Sequence, residues 1–526
     1  MKKLMIMASA ILTGFAAMAA NAVDLKALVR ADLAEPVRPA GVNGQVSWNA
    51  MATRFIYPPV FEVPEQKKPC FFRVRVLTAD GQVIKFDTDN RFVSLKGCWG
   101  KMPCGRTTLV VDAIRKNTYK NVLHRETRWF FKAEPYAPGA YPAAPRSYRE
   151  AAVLCGRYLM GFRFLKYLAE NGKPDPSYRL NCYPTKMNHG IIDAMVDFAH
   201  LSPADREAAL KIARAAADYL IARSQPAGAP LAFFPPTYEG RDFTAGEYAG
   251  QNMLVYPASA GRAFLKLYGE TKDEKYLTAA KNIAATYLKL QGEDGTWYLK
   301  MWEKDGKSVA PNRLHPDSVV AFLNDLYALT KDEKCREAAD RAFASLENGP
   351  LKSWNWEGQF EDCRPTEPYE DLTHHPACSL LIAIARRWPK DAGRIAQARE
   401  LLRFTEDQFV YWQKPKDAVE ADLQSLWTDG QWDVFPAVVE QYFYRESVDA
   451  SAAKMIESYL ALYDATGDEL CLAKARTLGD SIVRIQEKSG RIRSIWAACG
   501  RDIQSDWLNC TAASLQALIR LAAYEK

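Results

Sequence analysis

The sequence predicts a multidomain protein in which an N-terminal β-sandwich is followed by an all-α domain of repeated helical hairpins. Three observations lead to this prediction. A turn motif recurs along the C-terminal part, a proline-containing pair recurs at intervals of 59 and 60 residues, and an N-terminal segment alternates like a set of strands. A repeat of this length made of two helices indicates hairpins that are stacked or closed into a ring.

The repeated turn occurs at Tyr268–Tyr276, at Tyr327–Cys335 and at Tyr463–Cys471, with an apolar helical pattern on both sides of each copy. Its Thr or Asp is a good N-cap for the helix that follows, and the acids after it suit the positive end of the helix dipole. The first and second copies start 59 residues apart, and the second and third start 136 residues apart. One more copy is therefore expected between the second and the third. A related turn follows Ile384.

The proline-containing pair marks where the first helix of a hairpin begins. It occurs as Tyr256-Pro257, His315-Pro316 and His375-Pro376. Proline is favoured in the first turn of a helix because the N–H that it lacks would have no partner there. Tyr256, His315 and His375 are therefore predicted to be equivalent positions at the N-terminal ends of their helices.

Residues 1–22 are typical of a cleavable secretory signal peptide, because two lysines precede an apolar run that ends at Ala20-Asn21-Ala22. A membrane anchor is the weaker interpretation, since the run is short. No cysteine follows the apolar run, which disfavours a lipoprotein. We therefore expect a periplasmic or secreted protein with no membrane contact after cleavage.

The segment 46–134, which follows a linker at 23–45, is predicted to be a β-sandwich of fibronectin or immunoglobulin size. Residues from Cys70 to Leu77 alternate like a strand, and a hairpin turn follows at Ala79. Its expected role is to pack against the helical domain. A sugar-binding module is the sharper alternative, although no exposed aromatic platform is evident in the sequence.

Charge and cysteine content exclude several classes of function. The formal net charge is +6, with 69 basic and 63 acidic residues, and no Lys/Arg-rich block indicates nucleic-acid binding. The eleven cysteines contain no Cys-x-x-Cys pair, so a zinc site of the usual spacing is not expected. We predict no metal ion and no cofactor.

After a proline-rich boundary, residues 146–526 are predicted to form twelve helices, the first and last of which pair to close six hairpins. Their predicted ranges are 147–170, 188–200, 203–223, 257–269, 273–291, 316–329, 333–346, 376–388, 392–412, 449–465, 469–487 and 507–524. This arrangement resembles the six-hairpin toroid enzymes of carbohydrate metabolism, the (α/α)6 barrels. The resemblance covers the whole C-terminal domain and rests on its architecture and repeated turns.

The resemblance implies that the inner helices run parallel and that a funnel at their N-terminal ends holds the substrate. The segments that enter the predicted inner helices are indeed polar and aromatic. Any single residue among them has a structural interpretation too, as an N-cap for Asn188 or a first-turn charge for Asp317. Their convergence at one end of a ring is the functional signal. The candidate residues are Asn188, His189, Tyr248, Tyr256, His315, Asp317, His374, His375, Asp429, Trp432, Asp433, Glu440, Asp506 and Trp507.

A glycoside hydrolase is the first hypothesis, because hydrolysis of a glycosidic bond needs two carboxyl groups. Asp317 and Glu440 are the predicted pair for proton chemistry. Toroid hydrolases that act on glucuronyl or galacturonyl residues are a close architectural analogy, which implies an acidic, uronic-acid-containing glycan as the substrate. His189, His375 and Asn188 would then bind the acidic group, and Trp432 would stack on a sugar ring.

Three alternatives remain. Asn188-His189 looks like the Asn-His pair of toroid polysaccharide lyases, and a lyase would use Tyr248 or Tyr256 to remove a proton. Sugar epimerases of this fold use two facing histidines, for which His315 and His375 are candidates. A non-catalytic glycan-binding protein would bind the glycan without producing new chain ends.

Overall fold

The computed structural model describes residues 23–37, 48–49, 51–116, 121–415, 432–442, 445–496 and 507–525. The predicted signal peptide lies outside the described residues, as do two of the predicted site residues, Asp429 and Asp506.

The N-terminal region is a β-sheet region, as the sequence predicts. Helix α1 (Leu25–Leu33) precedes strands β1 (Arg54–Phe55), β2 (Val60–Glu62), β3 (Cys70–Leu77), β4 (Val83–Thr88), β5 (Phe92–Ser94), β6 (Gly105–Arg115) and β7 (Val122–Lys132), with a short helix α2 (Lys96–Trp99) after β5. Five strands form one sheet in the order β1-β7-β6-β3-β4, in which only the β1–β7 pair is parallel. Strands β2 and β5 form a separate antiparallel pair.

Alternation along β3 explains how this sheet forms a core. Phe72, Val74 and Val76 point to one face and are buried, whereas Arg73 and Arg75 point to the other face. A strand presents successive side chains to opposite faces, so one apolar residue in two is enough to cover the buried side.

The rest of the chain is mostly helical. The helices are α3 (Tyr148–Gly161), α4 (Arg163–Asn171), α5 (Pro184–Leu201), α6 (Arg206–Arg223), α7 (Tyr256–Thr271), α8 (Glu274–Leu290), α9 (Asp317–Thr330), α10 (Glu333–Asn348), α11 (Pro350–Ser353), α12 (His375–Arg387), α13 (Ala392–Phe409), α14 (Asp449–Thr466), α15 (Glu469–Ile485) and α16 (Leu508–Ala522). Two further pairs of short strands join their ends, β8 (Gln251–Met253) with β9 (Lys300–Trp302) and β10 (Val410–Tyr411) with β11 (Ala437–Val438).

Six of the described helices form a closed inner ring. Helix α5 contacts α7, α7 contacts α9, and the series continues through α12, α14 and α16 back to α5. Each inner helix also packs on an outer partner: α6, α8, α10, α13 and α15 follow their inner helices in sequence, and α3 packs on α16. The first and last helices therefore pair as predicted, and the fold is the six-hairpin (α/α)6 toroid.

The repeated turns have the predicted N-caps. The carboxylates of Asp273, Asp332 and Asp468 each accept a hydrogen bond from a backbone N–H in the first turn of the following helix. The preceding residue, Lys272 or Lys331, takes a left-handed conformation with φ near +60°. Asp391 caps α13 in the same way, at the expected fourth copy.

Two predicted helix boundaries differ from the structure. The helix predicted at 147–170 is interrupted at Phe162, whose extended backbone separates α3 from α4 and whose ring packs on Tyr158 and Phe164. Helix α5 begins at Pro184 and not at 188, with the proline in its first turn. In both places aromatic packing or proline chemistry sets the boundary, and apolar periodicity alone does not reveal it.

The sheet is held on the toroid by buried polar contacts to the end of α13. The Asp407 carboxylate accepts hydrogen bonds from the backbone N–H groups of Ile56 at 2.6 Å and Tyr57 at 2.9 Å. The Arg54 guanidinium donates to the carbonyl oxygens of Asp407 at 3.3 Å and Val410 at 3.1 Å. Strand β1 is thereby positioned at the C-terminal end of an outer helix.

A second set of contacts at this junction is ionic. The Lys474 ammonium on α15 lies 3.0 Å from an Asp32 carboxylate oxygen and 2.8 Å from a Glu406 oxygen. Tyr57 donates to Asp32 at 2.8 Å and Tyr459 donates to Glu406 at 2.7 Å. We call these five residues the junction cluster.

Among the described residues, no helix has the length and apolarity that crossing a membrane requires. The ten cysteines in the described part of the chain are free thiols, and seven of them are buried.

Candidate functional site

The N-terminal ends of the inner helices meet around a carboxylate that comes from a connecting segment. Glu361 lies between α11 and α12, yet one of its carboxylate oxygens is 2.5 Å from the Lys186 ammonium in the first turn of α5. Its other oxygen accepts a 2.5 Å hydrogen bond from the Tyr256 hydroxyl at the start of α7. Glu361 is 4% exposed, so the connection that carries it reaches across the mouth of the ring.

Hydrogen bonds hold this connection at its base and at its tip. At the base, its two arms form an antiparallel bridge between Glu357 and Leu372, and the Gly358 N–H donates to the Asp371 carbonyl at 2.7 Å. At the tip, the Tyr238 hydroxyl donates to the Glu361 carbonyl at 2.7 Å. Glu361 is thus held in place by contacts from outside its own hairpin, and Asp362 follows it directly in the chain.

The two adjacent carboxyl groups have different protonation behaviour. Burial alone would raise the pKa of Glu361, but the neighbouring Lys186 ammonium and the Tyr256 hydrogen bond hold it below its ordinary value. Burial and the negative charge of Glu361 raise the pKa of Asp362 to about 6. Because the Lys186 ammonium pairs with Glu361, Asp362 keeps its proton up to mildly acidic pH.

Glu440 is the third carboxyl group of the mouth. It follows β11, and its carbonyl oxygen accepts a hydrogen bond from the Thr373 hydroxyl at 2.8 Å, while His374 Nδ1 lies 3.3 Å from the same oxygen. Burial raises the pKa of its side chain to about 7, and the carboxylates of Asp362 and Glu361 add to this rise against the opposing charge of Lys186. We call Lys186, Glu361, Asp362 and Glu440 the mouth cluster.

A second lysine borders this cluster. The Lys300 ammonium donates to the carbonyl oxygens of Glu361 and Cys363, both at 3.2 Å, and lies 3.8 Å from the centre of the Tyr248 ring. No carboxylate of a described residue lies within ion-pairing distance of it. Burial lowers the pKa of Lys300 and raises the pKa of Tyr248.

Asp317 and His189 are two further titratable residues near the starts of inner helices. Asp317 begins α9, is 6% exposed and accepts a hydrogen bond from the Ser318 hydroxyl at 3.1 Å. Burial raises its pKa to about 6, against the charge of Lys454 on α14. Burial, together with the charges of Lys186 and other cations, lowers the pKa of His189 to about 4.

The predicted histidines of the mouth are neutral at pH 7. Burial lowers the pKa of His315 to about 4, that of His374 to about 3 and that of His375 well below its ordinary value. The rings of His374 and His375 are 4.3 Å apart, whereas His315 packs edge-on against Trp356 at 5.8 Å. One ring nitrogen of each histidine is buried with no hydrogen-bond partner among the described residues.

Two predicted binding roles do not fit the positions of the side chains. The Asn188 amide donates to the carbonyl of Pro184 in its own helix at 2.8 Å, and the side chain lines a small apolar cavity with Leu508. Trp432 is 2% exposed and packs edge-on against Tyr411, so it lacks a free ring face for a sugar. A local hydrogen bond occupies the Asn188 amide, and aromatic packing covers the Trp432 ring.

Two further predicted residues, Asp433 and Trp507, contact neighbouring segments of the chain. The exposed Asp433 carboxylate pairs with Arg493 at 3.1 Å. Trp507 precedes the first residue of α16, and its N–H donates to the Ser494 hydroxyl at 3.2 Å. Asp429 and Asp506 are outside the described residues.

Sequence reasoning missed part of the mouth cluster. Lys186 stood within a polar entry segment without being chosen, and Glu361 and Asp362 were not considered because they precede the segment that enters α12. Two adjacent acids shortly before such a segment were the available signal. In the described part of the chain, no group of three or more His, Cys, Asp or Glu side chains is arranged to hold a metal ion.

Comparison with solved structures identifies the fold. The chain is similar to a family 76 glycoside hydrolase from a bovine Bacteroides thetaiotaomicron strain, with a TM-score of 0.51 and 12% sequence identity over 93% of this chain and 100% of that chain. It is also similar to a D-mannose isomerase, with a TM-score of 0.49 and 13% identity over 73% of this chain and 100% of that chain.

An unsaturated glucuronyl hydrolase specific for heparin has a TM-score of 0.45 and 11% identity over 72% of this chain and 96% of that chain. No protein-family model matches the sequence, and no curated protein matches it. At these identities the likeness to the family 76 structure concerns the fold. The predicted resemblance to the six-hairpin toroid is confirmed.

Proposed function

We propose that this protein is a carbohydrate-active enzyme, and specifically a glycoside hydrolase. The observation that carries the proposal is the mouth cluster, in which Glu440 and Asp362 have pKa values raised to about 7 and about 6. Glycoside hydrolysis needs one carboxyl group that is protonated and one that is ionised. Carboxyl groups whose environments separate their pKa values are suited to those two roles.

In this proposal Glu440 is the general acid that gives a proton to the leaving oxygen. Asp362 is ionised above about pH 6 and acts on the other side of the bond, as the base for water or as the nucleophile. Glu361, whose two oxygens are engaged by Lys186 and Tyr256, positions Asp362. Asp317, the partner predicted from the sequence, remains the alternative to Asp362.

For the substrate we propose a uronic-acid-containing glycan whose carboxylate binds at Lys300. The ammonium of Lys186 already pairs with Glu361, whereas that of Lys300 contacts carbonyl oxygens and an aromatic face. A partly desolvated ammonium without a carboxylate partner gains a charge-assisted hydrogen bond when an anion arrives. The neutral His375 at the mouth would add a hydrogen bond to the sugar.

The other chemistries have less support. A lyase would need a tyrosine that gives up its proton, but burial and nearby carboxylates raise the pKa of Tyr256 well above its ordinary value, and burial raises that of Tyr248. An epimerase would need a protonated imidazole beside a neutral one, whereas burial keeps both His315 and His375 neutral. The family 76 glycoside hydrolase of the same fold also favours hydrolysis as the starting hypothesis.

The test incubates the mature chain, residues 23–526, with acidic and neutral polysaccharides while reducing ends and the ultraviolet absorbance of a 4,5-unsaturated uronate are followed together. New reducing ends without that absorbance are expected. Both signals rising together would replace hydrolysis by β-elimination, and neither signal on any polymer would contradict the enzymatic proposal.

The Lys300→Gln variant tests the substrate class in the same assay. We expect KM for the cleaved acidic glycan to rise by roughly tenfold or more, with a much smaller change in kcat, because the lost contact is to a remote carboxylate. Lys275→Gln, which removes an exposed lysine of an outer helix, is the matched control. An unchanged KM in Lys300→Gln would contradict binding of a uronate at this lysine.

A further inference from the structure

The outer face of the five-stranded sheet carries a row of exposed apolar side chains. Trp129 of β7 lies opposite Thr108 of β6, which lies opposite Leu77 of β3, which in turn lies opposite Val83 of β4. Trp129 is 38%, Leu77 41% and Val83 49% exposed. Three large apolar side chains exposed in one row are unusual on a sheet face and indicate a binding surface.

The same face is rich in cations. Within strands β3, β4, β6 and β7, five side chains on this face are basic and two are carboxylates, which leaves a net charge of +3. The basic residues are Arg73, Arg75, Lys85, Arg106 and Arg125, and the carboxylates are Asp87 and Asp112.

The carboxylates hold three of the arginines in place. Arg75 and Arg125 both pair with Asp112, at 2.9 and 2.5 Å, and Arg73 pairs with Asp87 at 3.2 Å. The fourth arginine, Arg106, lies with its guanidinium 5.4 Å from the centre of the Trp129 ring. The Arg106 guanidinium therefore lies beside the Trp129 ring before any ligand binds.

The Trp129 end of the row is next to the toroid. Strand β7 pairs with β1, whose Arg54 donates to the carbonyls of Asp407 and Val410 at the C-terminal end of α13. Helices α12 and α13 form an antiparallel hairpin, so this end of α13 is level with the N-terminal end of α12, where His375 enters the mouth. The row thus runs outward from the side of the toroid that holds the mouth cluster.

We infer that this sheet face is a second binding site, for an extended acidic polysaccharide. Four adjacent strands span about 14 Å, which suits a polymer chain better than a single sugar. The Trp129 ring stacks on the apolar face of a sugar ring, and the arginines bind carboxylate or sulfate groups along the chain. The choice of an acidic polymer rests on the proposed function, because the same glycan would enter the mouth. Binding at the sheet itself needs no catalysis.

The test measures how acidic polysaccharides retard the protein in native gels that contain polygalacturonate, alginate or heparin. The background is the full mature chain with Glu440→Gln, so that the polymer is not cleaved. Retardation by at least one acidic polymer is expected, and Trp129→Ala or Arg106→Gln should weaken the apparent affinity about tenfold. Leu329→Ala, which truncates a 50% exposed leucine at the far end of α9, is the matched control and should change nothing.

Three results would overturn the inference: no retardation by any of the acidic polymers, equal retardation by neutral dextran, or Trp129→Ala binding as tightly as its parent. Thermal midpoints of all variants should agree within about 2 °C, since exposed side chains are changed. Retardation that depends on Trp129, combined with a chain that retains Glu440 and still cleaves no polymer, would contradict the proposed hydrolase and leave this site intact.

Discussion

Two clusters of buried charge in this protein, the mouth cluster and the junction cluster, use a lysine between carboxylates in opposite ways. In the junction cluster, Lys474 lies between Asp32 and Glu406, and its side chain is only 5% exposed. In the mouth cluster, Lys186 pairs with Glu361, while Asp362 and Glu440 have no cationic partner among the described residues. In the junction cluster both carboxylates pair with the lysine, whereas the mouth cluster has more carboxyl groups than ion pairs.

The protonation states follow from that difference. At the junction, burial alone would raise the pKa of Asp32, but Lys474 and Arg403 hold it below its ordinary value, and the two carboxylates raise the pKa of Lys474 well above its own. At the mouth, burial prevails over the cation for Glu440 and Asp362. Paired charge supports a structural contact, whereas surplus carboxyl groups that titrate near neutral pH are characteristic of catalysis.

The largest expected effect is on turnover at the mouth. Glu440→Gln should lower kcat by about 10²- to 10⁴-fold, because an amide cannot donate the proton that the leaving oxygen needs. Asp362→Asn is expected to have a loss of similar size. Steady-state release of reducing ends measures both, with circular dichroism to verify the fold.

Two further variants serve as a control and a comparison for the loss of kcat. Glu270→Gln changes a buried glutamate that pairs with His200 at the far end of α7, and should leave kcat within about twofold of the parent. Asp317→Asn compares the partner predicted from the sequence with Asp362. Full activity of Asp362→Asn would contradict its proposed role, and full activity of Asp317→Asn would remove Asp317 from the mechanism.

At the junction the expected effect is on stability and not on turnover. Lys474→Met should lower the free energy of unfolding by about 3–5 kcal/mol, because it leaves Asp32 and Glu406 buried without their cation. Urea or thermal denaturation measures the loss. The deficit should shrink as the pH falls, since protonated carboxyl groups no longer need the partner.

Lys275→Met is the control for this prediction. Its ammonium also pairs with a carboxylate, that of Asp218 at 2.9 Å, but both side chains are nearly half exposed. An exposed pair contributes about 0–1 kcal/mol, so the change should be small. Equal losses in the two variants would mean that burial is not what distinguishes the junction cluster.

The smallest expected effect is a pH dependence of the rate that the mouth cluster predicts and the junction cluster does not. The rate kcat/KM should fall below about pH 6 as Asp362 gains a proton and above about pH 7 as Glu440 loses one, by about tenfold per unit at each limb. Rates from pH 4 to 9 test this, and the acid limb should be absent from the residual activity of Asp362→Asn. A flat profile between pH 7 and 9 would exclude Glu440 as the acid.

The predicted site was recovered unevenly, and the reason is physical. Glu440, His374 and His375 lie at the mouth because each belongs to a segment that enters an inner helix, which periodicity and proline position reveal. Glu361 reaches the mouth through tertiary contacts with Lys186 and Tyr256, from a connection with no periodic pattern. Long-range ion pairs of this kind have no local signal.

The sequence by itself determined the β-sheet region, the helical hairpins and the capped turns between them, because apolar periodicity, N-caps and first-turn prolines act over a few residues. Only the tertiary structure decided that Trp432 is buried, that Trp129 is exposed, and that Lys186 at the mouth pairs with Glu361 and not with Asp362 or Glu440. Burial and pKa depend on which distant segments meet, and local sequence does not encode that.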